Sequence, residues 1–186
     1  MAILEVEIIG SPVLRKKAKA VRKADKSLSR LLGDMLETMD SAPGVGLAAP
    51  QVGRSVRAIV ARVEEEEHRL VNPRVVKRQG QVEGMEGCLS LPGLQGLVVR
   101  PERVVVKALT ERMRPIEVEA EGFLARVLCH EIDHLDGILF TDRADPDSLY
   151  WLVPDEESED GFRREPTTLE EALAEFEQMR RQPQRA

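Results

Sequence analysis

The segment FLARVLCHEIDHLD (123–136) most constrains the fold, because it is apolar on several sides and predicts a helix buried at the centre of the protein. Gly137 follows at a position typical of a helix C-terminus. Inside this helix, His130, Glu131 and His134 form an H-E-x-x-H pattern. The two imidazoles lie one turn apart and can bind one metal ion from the same face. The rest of the chain must therefore pack around a helix that carries a candidate metal site.

Two histidines do not complete a catalytic metal site, which requires about three protein ligands and an open position for water. The acidic residues downstream of the helix motif lack the spacing that zinc peptidases use for a third ligand; they are Asp136, Asp142, Asp145 and Asp147. Upstream, Cys88 lies in the turn-prone segment EGCLSLPG. It can offer a thiolate, because a bound cation lowers the pKa of a thiol. Cys88, His130 and His134 thus form a candidate ligand set, and the alternative for Cys88 is a small buried hydrophobe.

The second cysteine and the third histidine are assigned to other roles. Cys129 adjoins His130 and points about 100 degrees away from it around the helix, so we place it in the core. A chance match to H-E-x-x-H is the minority interpretation, because two of the chain's three histidines have this spacing around a glutamate. The remaining one, His68, follows four glutamates and is predicted to lie in a solvated loop.

The other periodic segments predict an α+β fold, with antiparallel strands packed around the H-E-x-x-H helix and a helix at the C-terminus. An amphipathic helix is predicted from Asp25 to a point before Pro43, since apolar residues recur at i, i+3, i+4 and i+7. SVRAIVARV predicts a strand through its β-branched residues. Further short strands are predicted in RLVNPRVV, LVVRPERVVVKAL and PIEVEAEG.

The C-terminal region differs in composition from the rest of the chain. We predict a metal-dependent catalytic domain over residues 1–153 and an acidic spacer with a helical extension over residues 154–186. DEESEDG (155–161) predicts a solvated linker. TTLEEALAEFEQMRR (167–181) predicts a helix, with Thr168 and Glu171 spaced as a capping box.

The segment GVGLAAPQVG (44–53) predicts a glycine-rich loop. Its first six residues also match the dinucleotide-binding pattern G-x-G-x-x-A. That pattern requires a strand before the glycines and a helix after them, whereas here a helix precedes and a strand follows. We therefore favour a loop whose backbone approaches an extended substrate, with the amide of Gln51 pointing inward. The alternative for Gln51 is an exposed loop amide.

Composition disfavours several classes of protein. The formal net charge of −6 disfavours a DNA-binding surface. No apolar stretch approaches the roughly 18 residues of a membrane span, and the N-terminus lacks the basic start and cleavage site of a signal peptide. Because the chain has only two cysteines, the reducing cytoplasm is the expected setting.

Three segments together resemble the signature motifs of bacterial peptide deformylases: GVGLAAPQ (44–51), EGCLS (86–90) and HEIDH (130–134). The segment SPVLRKKAKAV is also similar, so the resemblance covers about residues 3–150. Members of this family are metal-dependent hydrolases that remove the formyl group from the initiator N-formylmethionine of nascent polypeptides. Cys129 departs from the glutamine that the family often has there, a change that removes no ligand.

The resemblance implies a catalytic metal centre with the ligands Cys88, His130 and His134. It implies one divalent ion per chain, Fe(II) in the native state and zinc, nickel or cobalt in some preparations. Glu131 is implied as the general acid and base. The implied substrates are N-formylmethionyl peptides, and this activity is compatible with association with the ribosome.

The resemblance also implies an oxyanion site and a pocket for methionine. The oxyanion donors are the side-chain amide of Gln51 and the backbone N–H of Leu89. Phe123 and Val127 lie seven and three residues before His130, on the same helical face. The other expected pocket residues are Val45, Gly46, Glu86 and Gly87.

Two other classes of function stay open at this point. A zinc endopeptidase could use the same helix, although the thiolate of Cys88 and the missing downstream carboxylate disfavour it. A noncatalytic metal-binding module would have a closed site with four ligands. The sequence instead offers three ligands, and a noncatalytic module would give Glu131 no role.

Overall fold

The structure is a computed structural model, and it describes residues 2–159 and 161–181. Its helices are α1 (Lys26–Ser41), α2 (Gly122–Leu135) and α3 (Leu169–Arg181). The described residues also contain nine strands. They are β1 (Gly46–Ala48), β2 (Ala58–Val63), β3 (Glu66–Gln79), β4 (Val82–Cys88), β5 (Leu91–Arg100), β6 (Arg103–Leu109), β7 (Pro115–Glu121), β8 (Tyr150–Pro154) and β9 (Phe162–Pro166).

The strands form two antiparallel sheets. The five-stranded sheet has the order β1-β2-β3-β6-β7, and the four-stranded sheet has the order β4-β5-β8-β9. Alternate residues of β2 face opposite sides, as the period of two of a strand requires. Ile59 and Ala61 belong to the core cluster around α2, whereas Ala58 and Val60 belong to the cluster around α1. The predicted α+β class is confirmed.

Helix α1 forms where its apolar periodicity predicts it. Asp25 caps the N-terminus, and its side chain accepts a hydrogen bond of 3.0 Å from the backbone N–H of Leu28. The helix ends at Ser41, before Pro43. Its buried face includes Leu32 and Met35. This face covers the side of the five-stranded sheet opposite α2.

The glycine-rich segment and His68 differ from their predicted loops. Gly46–Ala48 is strand β1, which pairs with β2, and Ala49–Val52 forms a 3-10 turn. His68 is 7% exposed and lies opposite Ala61 in the β2–β3 ladder. The prediction of a solvated loop there is wrong, because the turn is completed at Glu64 and Glu65 and His68 already faces the core.

Residues 155–159 and 161 of the acidic run lie in the turn of a hairpin between β8 and β9, so the predicted linker is wrong; residue 160 lies outside the described residues. Strand β8 pairs with β5 and extends the sheet that carries Cys88. Negative charge suggested a linker, but backbone pairing of the flanking strands determines the structure.

The C-terminal helix has the predicted cap. The Thr168 N–H donates to Glu171 at 2.9 Å, and the Glu171 N–H donates to the Thr168 hydroxyl at 3.2 Å. Phe176 is 1% exposed, and its ring centroid lies 5.2 Å from that of Trp151 on β8. The division at residue 153 stays a prediction, and residues 182–186 lie outside the described residues. In the described part of the chain, no helix is long and apolar enough to cross a membrane.

Candidate metal centre and active site

Helix α2 brings both histidines and Glu131 into the interior. The helix starts at Gly122, which has a φ of +57°, and Gly137 follows its end with a φ of +76°. A Cβ on Gly137 would lie 2.8 Å from the backbone of Arg15, so glycine also permits a close packing there. His130, Glu131 and His134 are each no more than 9% exposed.

Cys88 reaches the helix from the four-stranded sheet. It is the last residue of β4, and the β4–β5 register shifts between Gly87 and Cys88. The shift is typical of a bulge, which redirects a side chain. The Cys88 Sγ lies 3.3 Å from His134 Nε2. One ligand atom from each of Cys88, His130 and His134 can be chosen so that all three lie within 4.8 Å of one another.

Gln51 lies beside this group with a defined orientation. Its Oε1 accepts a hydrogen bond of 2.8 Å from the backbone N–H of Ala48, so its Nε2 faces the other way. That Nε2 lies 3.4 Å from Cys88 Sγ and 3.3 Å from the Ser90 hydroxyl. Gln51 is 1% exposed. The amide therefore points inward to the cysteine and is not an exposed loop amide.

Glu131 is buried beside the backbone of β1. A Cβ on Gly46 would lie 2.5 Å from Glu131 Oε1, so the glycine leaves the space that the carboxylate occupies. Among the described residues, no partner is recorded for Glu131 Oε2. Burial raises the pKa of Glu131 to about 7. A carboxyl group in this condition can both accept and donate a proton near neutral pH.

The carboxylate of Glu86 contacts the ring of His130. His130 Nδ1 lies 2.9 Å from Glu86 Oε2. Arg100 binds the same carboxylate with two hydrogen bonds, of 2.8 and 2.9 Å, and Arg126 donates a third of 2.8 Å. Burial opposes ionisation, but the hydrogen bonds from Arg100 and His130 hold the pKa of Glu86 well below its usual range. The carboxylate is thus an ionised partner for the histidine.

Arg100 also contacts the helix, and sequence reasoning missed this. Its Nη1 lies 2.5 Å from Asp133, which Arg143 binds through two further hydrogen bonds of 2.6 and 2.7 Å. A carboxylate behind a metal-binding histidine is a common arrangement. That rule could have identified Glu86 as a partner of His130. Spacing along the chain contains no signal for Arg100.

A pocket of about 500 Å³ opens beside Cys88. His130 and Glu131 of α2 also line it. All six residues that the sequence predicts for the methionine pocket line it: Val45, Gly46, Glu86, Gly87, Phe123 and Val127. The carboxylate of Glu86 differs from the others, because Arg100, Arg126 and His130 already bind it. The rest of this set is apolar or glycine.

The donor set suits a catalytic ion. A cysteine thiolate and two imidazoles are ligands for zinc and other divalent transition metals, and a site with three protein ligands leaves a position for water or substrate. Among the described residues this is the one group of three or more such side chains close enough to hold an ion. The buried Oε2 of Glu131, which has no partner within residues 2–159 and 161–181, adds a free acceptor next to that group.

Comparison with known proteins gives the family. A sequence profile described as polypeptide deformylase matches residues 3–149. A peptide deformylase of Symbiobacterium thermophilum is 49% identical over 180 residues, 95% of this chain and 80% of that protein. The chain belongs to the polypeptide deformylase family. A further peptide deformylase, from Natranaerobius thermophilus, is 53% identical over 147 residues, which are 78% of this chain and 94% of that protein.

The fold agrees with this deformylase assignment. The crystal structure of peptide deformylase from Thermotoga maritima aligns with a TM-score of 0.77 at 41% identity, over 78% of this chain and 100% of that one. The predicted activity is confirmed: the chain is a metalloenzyme of this family, a hydrolase that removes the N-formyl group from nascent polypeptides.

Proposed function

We propose that Cys88, His130 and His134 bind the catalytic ion of this deformylase, and that the ion in the cell is Fe(II), with zinc, nickel or cobalt able to replace it in preparations. The convergence of three donor atoms from two elements supports this assignment. When bound, such an ion polarises a carbonyl oxygen and lowers the pKa of a coordinated water. Glu86 keeps the proton of His130 on Nδ1, which leaves Nε2 as a donor to a metal.

Glu131 carries the proton in the proposed mechanism. As a water oxygen attacks the formyl carbon, the carboxylate accepts a proton from that water. It then delivers the proton to the amide nitrogen as the C–N bond breaks, which releases formate and a free amino terminus. The observation that carries this proposal is the buried Oε2 of Glu131 beside the ligand group, which has no partner in the described part of the chain. Its pKa of about 7 suits both transfers.

Gln51 and Leu89 provide the oxyanion site in this proposal. Negative charge develops on the formyl oxygen during attack, and donors that are already oriented stabilise it. The contact with Ala48 aims the Gln51 Nε2 at the cysteine. The Leu89 N–H follows Cys88 directly in the turn between β4 and β5.

The methionine side chain occupies the pocket of about 500 Å³. An apolar wall accommodates a flexible thioether without requiring a polar partner. We assign its lining to Val45, Gly46, Gly87, Phe123 and Val127, and we assign Glu86 to positioning His130. We further propose that the enzyme acts in the cytoplasm on chains emerging from the ribosome, without binding DNA or a membrane.

Substrate selectivity tests the proposed activity of the site. Hydrolysis is measured for formyl-Met-Ala-Ser and for its acetylated analogue. The formyl peptide should be cleaved and the acetyl peptide should not, because the additional methyl group occupies the space beside the attacked carbon. Equal cleavage of both, or cleavage at an internal bond, would favour the endopeptidase alternative.

Metal content and turnover test the residue roles. Cys88→Ala should lose its ion, and the matched control Cys129→Ala should retain it; the opposite pattern would refute the ligand assignment. Glu131→Ala should keep the ion and lose nearly all turnover. Gln51→Leu should lower kcat by about 10²-fold, as expected for one oxyanion donor. A change in KM alone would instead assign Gln51 to ground-state binding.

A further inference from the structure

A row of three residues connects the metal centre to the C-terminal region. Gly87 on β4 lies opposite Gln95 on β5, and Gln95 lies opposite Tyr150 on β8. Residues opposite each other in an antiparallel sheet have their side chains on the same face. The row therefore runs along one face of the four-stranded sheet. It begins at Gly87, the residue before Cys88, and ends at Tyr150 on β8.

Gln95 has one end of its amide fixed and the other end free. The Tyr150 hydroxyl donates a hydrogen bond of 2.9 Å to Gln95 Oε1, which turns Nε2 away from Tyr150. A Cβ on Gly87 would lie 3.6 Å from this Nε2, so the amide N–H group extends over the glycine. Within residues 2–159 and 161–181, no acceptor is recorded for Gln95 Nε2. Both Gly87 and Gln95 line the pocket.

We propose that Gln95 Nε2 donates a hydrogen bond to the backbone carbonyl of the substrate residue after methionine, and that Tyr150 is a positioning residue for this donor. The inference rests on the proposed site, with the formyl group at Cys88 and methionine in the pocket. Because Gly87 has no side chain, an extended peptide leaving the pocket can pass close to the sheet there. A neutral amide that binds backbone accepts any second residue. This suits an enzyme that acts on nascent chains of many sequences.

The C-terminal strands hold the positioning residue in place. Tyr150 pairs with Pro166 of β9 on the side away from Gln95. The next residue, Trp151, packs against Phe176 of α3. The region after residue 149 thus orients one residue of the pocket wall, Gln95, through Tyr150, although it contains none of the proposed catalytic residues.

Two matched substrates test this inference. Formyl-Met-Ala amide contains the alanine carbonyl, whereas formyl-Met isopropylamide has a methyl group in its place. In Gln95→Leu, KM for the alanine amide should rise by about threefold to tenfold, the loss expected for one neutral hydrogen bond, with kcat unchanged. The isopropylamide should show no change. Tyr150→Phe keeps the ring and the strand pairing, and it should give a smaller change in KM in the same direction.

The control is Gln81→Leu, an exposed glutamine before β4 that should leave both substrates unaffected. Equal effects of Gln95→Leu on the two substrates, or no effect on either, would overturn the inference while leaving the proposed function intact. A KM effect that Tyr150→Phe does not share would overturn the positioning role. If the wild-type protein hydrolyses neither formyl substrate, the proposed site fails, and the inference fails with it.

Discussion

Arg100→Met should destabilise the protein strongly, although Arg100 touches neither the proposed ligand atoms nor the substrate pocket. Arg100 is 3% exposed. It forms two hydrogen bonds with Glu86 and one with Asp133. Methionine keeps most of the length and apolar volume of the side chain. The variant therefore removes a buried charge and its hydrogen bonds with little change in packing.

The magnitude follows from what the two carboxylates retain. Hydrogen bonds to charged groups contribute about 1.5–3 kcal/mol each, so three of them exceed 4 kcal/mol before compensation. Glu86 keeps Arg126 and His130, and Asp133 keeps Arg143, so neither carboxylate is left without a partner. These retained partners reduce the loss below the roughly 3–5 kcal/mol that follows when a buried charge is left unpaired. We expect the free energy of unfolding to fall by about 2–3 kcal/mol.

Urea unfolding followed by circular dichroism measures this change, with the same divalent ion in every sample. With an m value of about 2 kcal/mol per molar urea, the midpoint should fall by about 1–1.5 M. Arg143→Met is the matched control, because the Arg143 side chain is 43% exposed and its removal should cost less than about 1 kcal/mol. A loss below about 1 kcal/mol for Arg100→Met, or equal losses for the two variants, would refute the reasoning.

Three further predictions concern other parts of the molecule. Gly46→Ala should displace the Glu131 carboxylate and lower kcat by about 10²-fold with metal content unchanged, and normal turnover would contradict the packing described for β1. Glu64 and Glu65 have φ angles of +50° and +66°, so the double change to Asn-Gly should raise the free energy of unfolding by about 1 kcal/mol; a lower thermal midpoint would oppose this. Phe176→Ala should lower the free energy of unfolding by about 3–5 kcal/mol, and the whole protein should still unfold in one cooperative transition. A separate transition at lower denaturant would instead support an independent unit over residues 154–186.

The sequence predicts much of the candidate site because its chemistry depends on local spacing. The i, i+4 separation of His130 and His134 places both imidazoles on one side of any helix, and the apolar residues around them predict that the helix is buried. The sequence indicates Cys88 as a ligand mainly because the downstream acids lack a suitable spacing, so its assignment depends less on local pattern. Its approach to His134 depends on the bulge at the end of β4.

The parts that sequence reasoning missed depend on contacts between distant segments. His68 follows four glutamates, yet its place opposite Ala61 buries it, because strand pairing outweighs the polarity of its neighbours. Strands β8 and β9 are five residues each, and the acidic turn between them has the composition of a linker. The pairing of β8 with β5, and of β9 with β8, cannot be deduced from local periodicity.

The contacts of Arg100 explain how ligands from different elements are held in one arrangement. Glu86 precedes Cys88 by two residues on β4, and Asp133 immediately precedes His134 on α2. Arg100 binds both carboxylates, so one buried guanidinium connects the segment that carries the cysteine to the segment that carries the histidines. An apolar residue there could fill the space, but it would not determine the position of β4 relative to the helix. Since a buried guanidinium is stabilised only when its carboxylate partners are in place, the strand and the helix are held in the relative position that brings the thiolate and imidazoles together.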